Sequence, residues 1–198
     1  MMNVKQIIFF VCLLALAIGG TLLINQKDEP SRLSTLTSSS LGGDFTLHAA
    51  TGPVSLSDYE GKVVLLFMGF THCPDICPTS LAVMTQALDN MSEAEADQVQ
   101  GLFISVDPER DTPEHLAEYV AHFSPRITGI TGSKEELDKV VRQYGAFYRI
   151  VETPNSAMSY TVDHTARIYL IDKQGKMAAA LQHTLSPDEL ATAIKAQI

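Results

Sequence analysis

Cysteine is scarce in this chain: Cys12, Cys73 and Cys77 are the only three among 198 residues. That number excludes a small scaffold stapled by disulfides, so the thiols serve another purpose. Basic residues are also few, with 14 Lys and Arg against 23 Asp and Glu. Lys5 and Lys27 are the only charged side chains before position 28, which leaves 12 against the same 23, a net −11, for the rest. Phosphate backbones and anionic lipid heads repel such a body, which argues against nucleic acid as a partner. The chain has no internal repeat. What is present is 45% hydrophobic and 19% charged, enough for one domain with one core and too apolar for disorder.

Between Lys5 and Lys27 no charge occurs, and residues 7–24 read IIFFVCLLALAIGGTLLI. At about 1.5 Å per residue a helix of that length reaches roughly 27 Å, close to the hydrocarbon thickness of a bilayer. Ala15-Leu16-Ala17 resembles a signal-peptidase site, but the apolar run continues well past it, so residues 1–27 read as an uncleaved anchor. Lys5 precedes the run, whereas Asp28 and Glu29 follow Lys27 at once. This bias places the N-terminus in the cytoplasm and the body outside it. Cys12, inside the run, reads as an inert lipid-facing thiol. Residues 28–40 contain SRLSTLTSSS, seven of whose ten residues are Ser or Thr, and read as a flexible tether.

Residues 41–198 read as the folded domain. DFTLHAATGPVSLSDYEGK is an extended stretch with turns at Thr51-Gly52-Pro53 and Glu60-Gly61. The run Val63–Met68 is short, apolar and rich in strand formers, which predicts a strand buried on both faces. Pro78 fits the first turn of a helix reaching about Asn90. GLFISVD at 101–107 is the next buried strand, and Thr112-Pro113-Glu114 opens an amphipathic helix through Phe123. A short strand at ITGITG precedes a helix with a capping box at Ser133. Thr165–Ile171, a turn at Asp172–Gly175 and a return over Lys176–His183 form a hairpin, and Ser186 caps a last helix. This order predicts an α/β domain with a central mixed sheet and helices on both faces.

The loop Thr71-His72-Cys73-Pro74-Asp75-Ile76-Cys77-Pro78 follows the first buried strand, and in open α/β sheets ligands gather beyond the carboxyl ends of strands. Cys77 falls at or beside a helix start, where N–H groups and the dipole favour thiolate. Two thiolates on one metal lie within roughly 4.6 Å of each other, and a four-residue spacing wound into one turn allows that. Dithiol oxidoreductases carry Cys-x-x-Cys; here one more residue intervenes. They also place a cis-proline before the strand facing the cysteines, where this chain has Asp163-His164-Thr165. An imidazole there supplies a third ligand. Two thiolates and an imidazole suit copper in either oxidation state, and zinc is compatible on ligand type alone. A structural disulfide is the other reading of the pair. The seven methionines are dispersed, so no methionine-rich copper motif is present.

FTHCPDICP at 70–78, VDPERDTP at 106–113 and VDHTARIYLID at 162–172, in that order behind one anchor, resemble the Sco/SenC family of membrane-tethered, thioredoxin-like copper proteins. The resemblance covers residues 41–198. It implies a thioredoxin-like mixed sheet flanked by helices, with an N-terminal strand extension and a single transmembrane helix. It also implies Cys73, Cys77 and His164 as copper ligands, the cysteines doubling as a redox-active pair. The implied task is maturing the binuclear copper centre of cytochrome c oxidase, by copper delivery, by reduction of the acceptor's cysteines, or by both. The implied partners are cytochrome c oxidase subunit II or a similar copper acceptor, and another periplasmic copper chaperone or thiol reductase. A mitochondrial-type transit sequence is lacking, which favours a single-pass protein of the bacterial inner membrane with its domain in the periplasm.

Asp163 reads as a strand-start carboxylate or as a group orienting the site. His72 is expected to point away from a metal held by Cys73. Asp107, Arg110 and Asp111 read as a turn held by local ion pairs or as a rim for docking a partner. His48, His115, His122 and His183 read as surface or packing residues. Two function classes fit: a metallochaperone exchanging ligands with an acceptor, and a thiol–disulfide reductase with a low-pKa attacking thiol. A sensor is disfavoured by the few residues ahead of the apolar run. Peroxide reduction is disfavoured because no Thr-x-x-Cys and Arg arrangement assembles around Cys73.

Overall fold

The computed structural model describes residues 41–154, 156 and 158–198. The expected anchor and tether, and Cys12 with them, lie outside the described residues. Among the described residues no helix is long and apolar enough to cross a membrane.

The central strand is β3 (Val63–Gly69), buried at every position as its unbroken apolar run requires. It pairs parallel with β4 (Val99–Ser105) and antiparallel with β8 (Arg167–Ile171). Beyond them β5 (Ile127–Ile130) extends the parallel side and β9 (Met177–Gln182) the antiparallel side, giving the order β5-β4-β3-β8-β9. Parallel neighbours need crossovers, and helices supply them. After β3 come α1 (Ile76–Asp89) and the short α2 (Glu93–Ala96), and α3 (Pro113–Ala121) joins β4 to β5. Then α4 (Lys134–Gln143) follows β5, and α5 (Pro187–Lys195) lies last and packs beside α1. Ahead of the sheet, β1 (Thr46–Ala49) and β2 (Gly52–Ser55) form a separate hairpin, fastened to the end of β5 by two backbone bonds between His48 and Thr131.

Strand alternation sorts the helices onto both faces of the sheet. Phe67, Phe103 and Gly129 share one face, where α3 packs so closely that a Cβ on Gly129 would meet Leu116 Cβ at 2.8 Å. Leu66 and Tyr169 share the other, where Tyr144, just after α4, sets its ring 5.6 Å from Tyr169 edge to face. The predicted mixed sheet, its core strands and the capping boxes at Ser133 and Ser186 are all present.

Beside a 3-10 turn at Leu56–Tyr59, where the sequence reads as extended, two pieces of structure had no counterpart in the sequence reading. One is α2, opened by a capping box between Ser92 and Glu95. The other is an antiparallel pair inserted between α4 and β8, β6 (Tyr148–Glu152) and β7 (Tyr160–His164). Its strands make a sheet of their own. Four of the five β7 residues are only partly buried, so the alternation that marks a half-buried strand is faint there.

Candidate metal centre

Beyond Gly69 the chain turns through Phe70–Asp75 into α1. Cys73 lies in the turn and Cys77 is the second residue of the helix. Pro78 sits in the first turn, where the N–H it lacks has no intrahelical partner to lose. The glycine ending β3 is a requirement of the thiol: a Cβ at position 69 would stand 2.5 Å from Cys77 Sγ. Cys77 is thereby pressed against the strand end with no exposure, whereas Cys73 is half-buried. Both are free thiols in this structure.

Their environments drive the two sulfurs apart. The neighbouring Cys77 thiol lowers the Cys73 pKa by more than burial raises it, and the backbone N–H groups of Asp75 and Cys77 act in the same sense. Cys73 is therefore held well below the ordinary thiol value. The closeness of Cys73, followed by burial, pushes Cys77 up. Of the two sulfurs, Cys73 is the one driven toward thiolate and Cys77 the one driven toward thiol.

His164 is the last residue of β7, and its Nε2 lies 3.4 Å from Cys77 Sγ. Its Nδ1 lies 3.3 Å from the Thr165 carbonyl oxygen. A carbonyl only accepts, so Nδ1 carries the proton and the Nε2 lone pair is free to face the sulfurs. The ring stands edge-on to Phe67 and Phe70, with centroids 6.1 and 5.8 Å away. One donor atom from each of Cys73, Cys77 and His164 lies within 4.8 Å of the others. A metal with bonds of about 2.3 Å to sulfur and about 2.0 Å to nitrogen spans sulfur–nitrogen separations up to roughly 4.3 Å, so the observed 3.4 Å fits. Two soft sulfurs and one imidazole match the preferences of copper.

The remaining candidates fall around this group. Neighbouring strand residues face opposite sides, so Asp163 turns away from the sulfurs and pairs with Arg149 across the hairpin. The group seen to hold the imidazole is the Thr165 carbonyl. His72 stands outside the donor group, its Nδ1 3.1 Å from Thr71 Oγ1. His115 Nε2 approaches the same hydroxyl at 3.2 Å, His48 pairs with Glu136, and His122 ends α3. Asp107 and Arg110 form the expected ion pair. Asp111 does more than hold a turn: fully buried, it accepts from the Thr71 N–H, the Thr71 hydroxyl and the Ser105 hydroxyl. Sequence reasoning did not single out Thr71, Phe70 or Tyr160. Their contacts span 40 or more positions, and only the flanking motif residues marked the neighbourhood.

Residues 34–198 match the SCO1/SenC family. The mitochondrial SCO1 homologue of Homo sapiens is 39% identical over 189 residues, covering 90% of this chain and 62% of that protein, so the chain spans less than two thirds of that relative. The structure of Bradyrhizobium japonicum ScoI with copper bound is similar at a TM-score of 0.72 and 40% identity, covering 80% of this chain and 99% of that one. BsSco, described as a member of the Sco family of cytochrome c oxidase assembly proteins, is similar at 0.61 and 28% identity, covering 80% and 93%. The match takes in the cysteine loop, the 106–113 loop and the histidine strand that meet at one site, and on that ground the chain belongs to the SCO1/SenC family.

Proposed function

We propose that this protein binds copper through Cys73, Cys77 and His164 and delivers it to an acceptor during assembly of the binuclear copper centre of cytochrome c oxidase. The observation that carries this reading is the convergence of two sulfurs from the turn into α1 and one imidazole from β7, within 4.8 Å of one another. Relatives with the same fold and copper bound support it. Cys73 is partly exposed, which lets an acceptor thiolate approach before the chain's own ligands leave. Copper is the cargo in this reading, and the residues bind it, orient it and let it go. The apolar run at 7–24 and the charges flanking it support a single-pass anchor in a bacterial inner membrane, with the domain in the periplasm.

The test uses the full-length chain loaded with copper and an apo oxidase copper domain whose cysteines are first reduced and then oxidised. Transfer to the reduced acceptor alone is expected. Absence of transfer to either form overturns the delivery role.

A second reading is favoured by the partial exposure of Cys73 and by the neighbours that lower its pKa. In a reductase the Cys73 thiolate attacks an acceptor disulfide and forms a mixed disulfide, releasing one acceptor thiolate. Cys77 then displaces the second and leaves a Cys73–Cys77 disulfide. This reading predicts that the reduced, copper-free chain converts the oxidised acceptor to its dithiol and that His164→Ala retains the activity. Failure of the dithiol to reduce the acceptor removes it.

A further inference from the structure

We infer that Arg110, acting with Tyr160, is a positioning residue for His164: it clasps the inserted hairpin to the cysteine loop and so sets the reach of the imidazole toward the sulfurs. The inference rests on the metal-binding reading above and concerns how that site is held together.

The hairpin carrying His164 forms a two-stranded sheet of its own, so something other than the central ladder must fix its position. Tyr160, Val162 and His164 alternate onto one side of β7, and Val162 is buried. At the upstream end of that row, the Arg110 guanidinium lies 3.7 Å from the centroid of the Tyr160 ring. Its Nη1 donates to the Tyr160 carbonyl at 3.2 Å, and its Nε donates to Asp107. The Tyr160 hydroxyl donates to the other oxygen of the same carboxylate at 2.8 Å. Tyrosine, arginine and aspartate thus form a closed set of contacts.

The same guanidinium lies 5.7 Å from the centroid of Phe70, whose ring supports the edge of His164. Phe70 leads directly into Thr71, which is held by both its N–H and its hydroxyl to Asp111. Residues 107–111 therefore grip both ligand-bearing segments, the cysteine loop through Asp111 and the histidine hairpin through Arg110. Arg110 Nη2 is buried with no partner, so the placement follows ring stacking even where one donor goes unused. A planar guanidinium can lie flat on a ring and still reach a carboxylate; a lysine ammonium cannot do both.

The experiment compares full-length wild type, Arg110→Ala, Arg110→Lys, Tyr160→Leu, Tyr160→Phe and His164→Ala, each loaded with Cu(II). Nitrogen coupling is read by electron paramagnetic resonance, and copper loss to a chelator is timed. Arg110→Ala and Tyr160→Leu are expected to weaken the nitrogen signature toward that of His164→Ala and to release copper roughly tenfold faster, as loss of an orienting partner typically does. Tyr160→Phe keeps the ring and is expected to stay close to wild type, with Arg110→Lys between the extremes. Combining Arg110→Ala with His164→Ala is expected to add nothing to the release rate, because both act through one imidazole. Additive rates, or a lowered melting temperature with an unchanged nitrogen signature, overturn the inference. If Arg110→Ala does not fold, Arg110→Lys and Tyr160→Leu decide by the same criteria. A wild-type signature identical to that of His164→Ala instead refutes the metal reading itself.

Discussion

The two halves of the candidate metal centre are built differently. Cys77 belongs to the core: it sits at the start of α1, with no exposed surface, against a strand whose terminal glycine leaves room for nothing else. His164 belongs to an appendage, a two-stranded sheet whose outer strand exposes Ile150 at 47%, next to Phe147 at 59%. A site assembled this way keeps its sulfurs preorganised and lets its imidazole depend on contacts elsewhere.

The sharpest way to break that contrast is to remove the core ligand. Cys77→Ala should lower copper affinity at least about a hundredfold, roughly 2.7 kcal/mol, in a chelator competition. A loss no larger than that of His164→Ala would mean the halves contribute equally. Next comes the packing that seats the sulfur. Gly69→Ala forces a Cβ into Cys77 Sγ and should destabilise the fold by about 1–3 kcal/mol, measured by denaturant unfolding. An unchanged midpoint would show the core side to be as yielding as the hairpin.

Removing the appended ligand should cost less. His164→Ala should weaken Cu(I) binding by roughly tenfold, about 1.4 kcal/mol, and Cu(II) binding by more, since sulfur favours the reduced ion and nitrogen the oxidised one. Equal losses for both ions would contradict the division of labour. The opposed shifts of the two sulfurs give a further test. Because Cys73 is held low by the Cys77 thiol, its alkylation should remain fast at about pH 6, well below its ordinary pKa of 9.0. Cys77→Ala removes the neighbour that lowers it, raises the Cys73 pKa and should slow alkylation at that pH while leaving it fast above pH 9.0. The smallest effect is expected at the hairpin's outer edge, where Ile150→Ser should change stability by no more than about 0.5 kcal/mol.

What could be read from the sequence follows the same division. The β3 run, the Ser133 and Ser186 caps and the loop after Phe70 announce themselves locally, because burial, capping and helix starts each leave a signature within a few residues. Cys73 and Cys77 are thus visible as a pair. His164 is visible as a motif residue, but its seat on β7 is not, since the Tyr148–Glu152 and Tyr160–His164 strands mix polar and apolar residues with weak alternation. The links through Asp111 and Arg110 were invisible for another reason. A carboxylate bonding a residue 40 positions away, or a guanidinium on a ring 50 away, leaves no periodic trace. Asp163 shows the converse: its place beside His164 in sequence suggested a shared task, and strand alternation sends it to Arg149.

The unequal depth of the two sulfurs imposes a chronology on any handover. Cys77 has no exposed surface and packs against the end of β3 at Gly69, whereas Cys73 is partly exposed, so an incoming ligand reaches Cys73 first. In the proposed delivery the Cys73 bond is therefore the first to be exchanged and the Cys77 bond the last, so that the acceptor holds the ion before the chain lets it go. That order would keep the cargo from escaping to water midway.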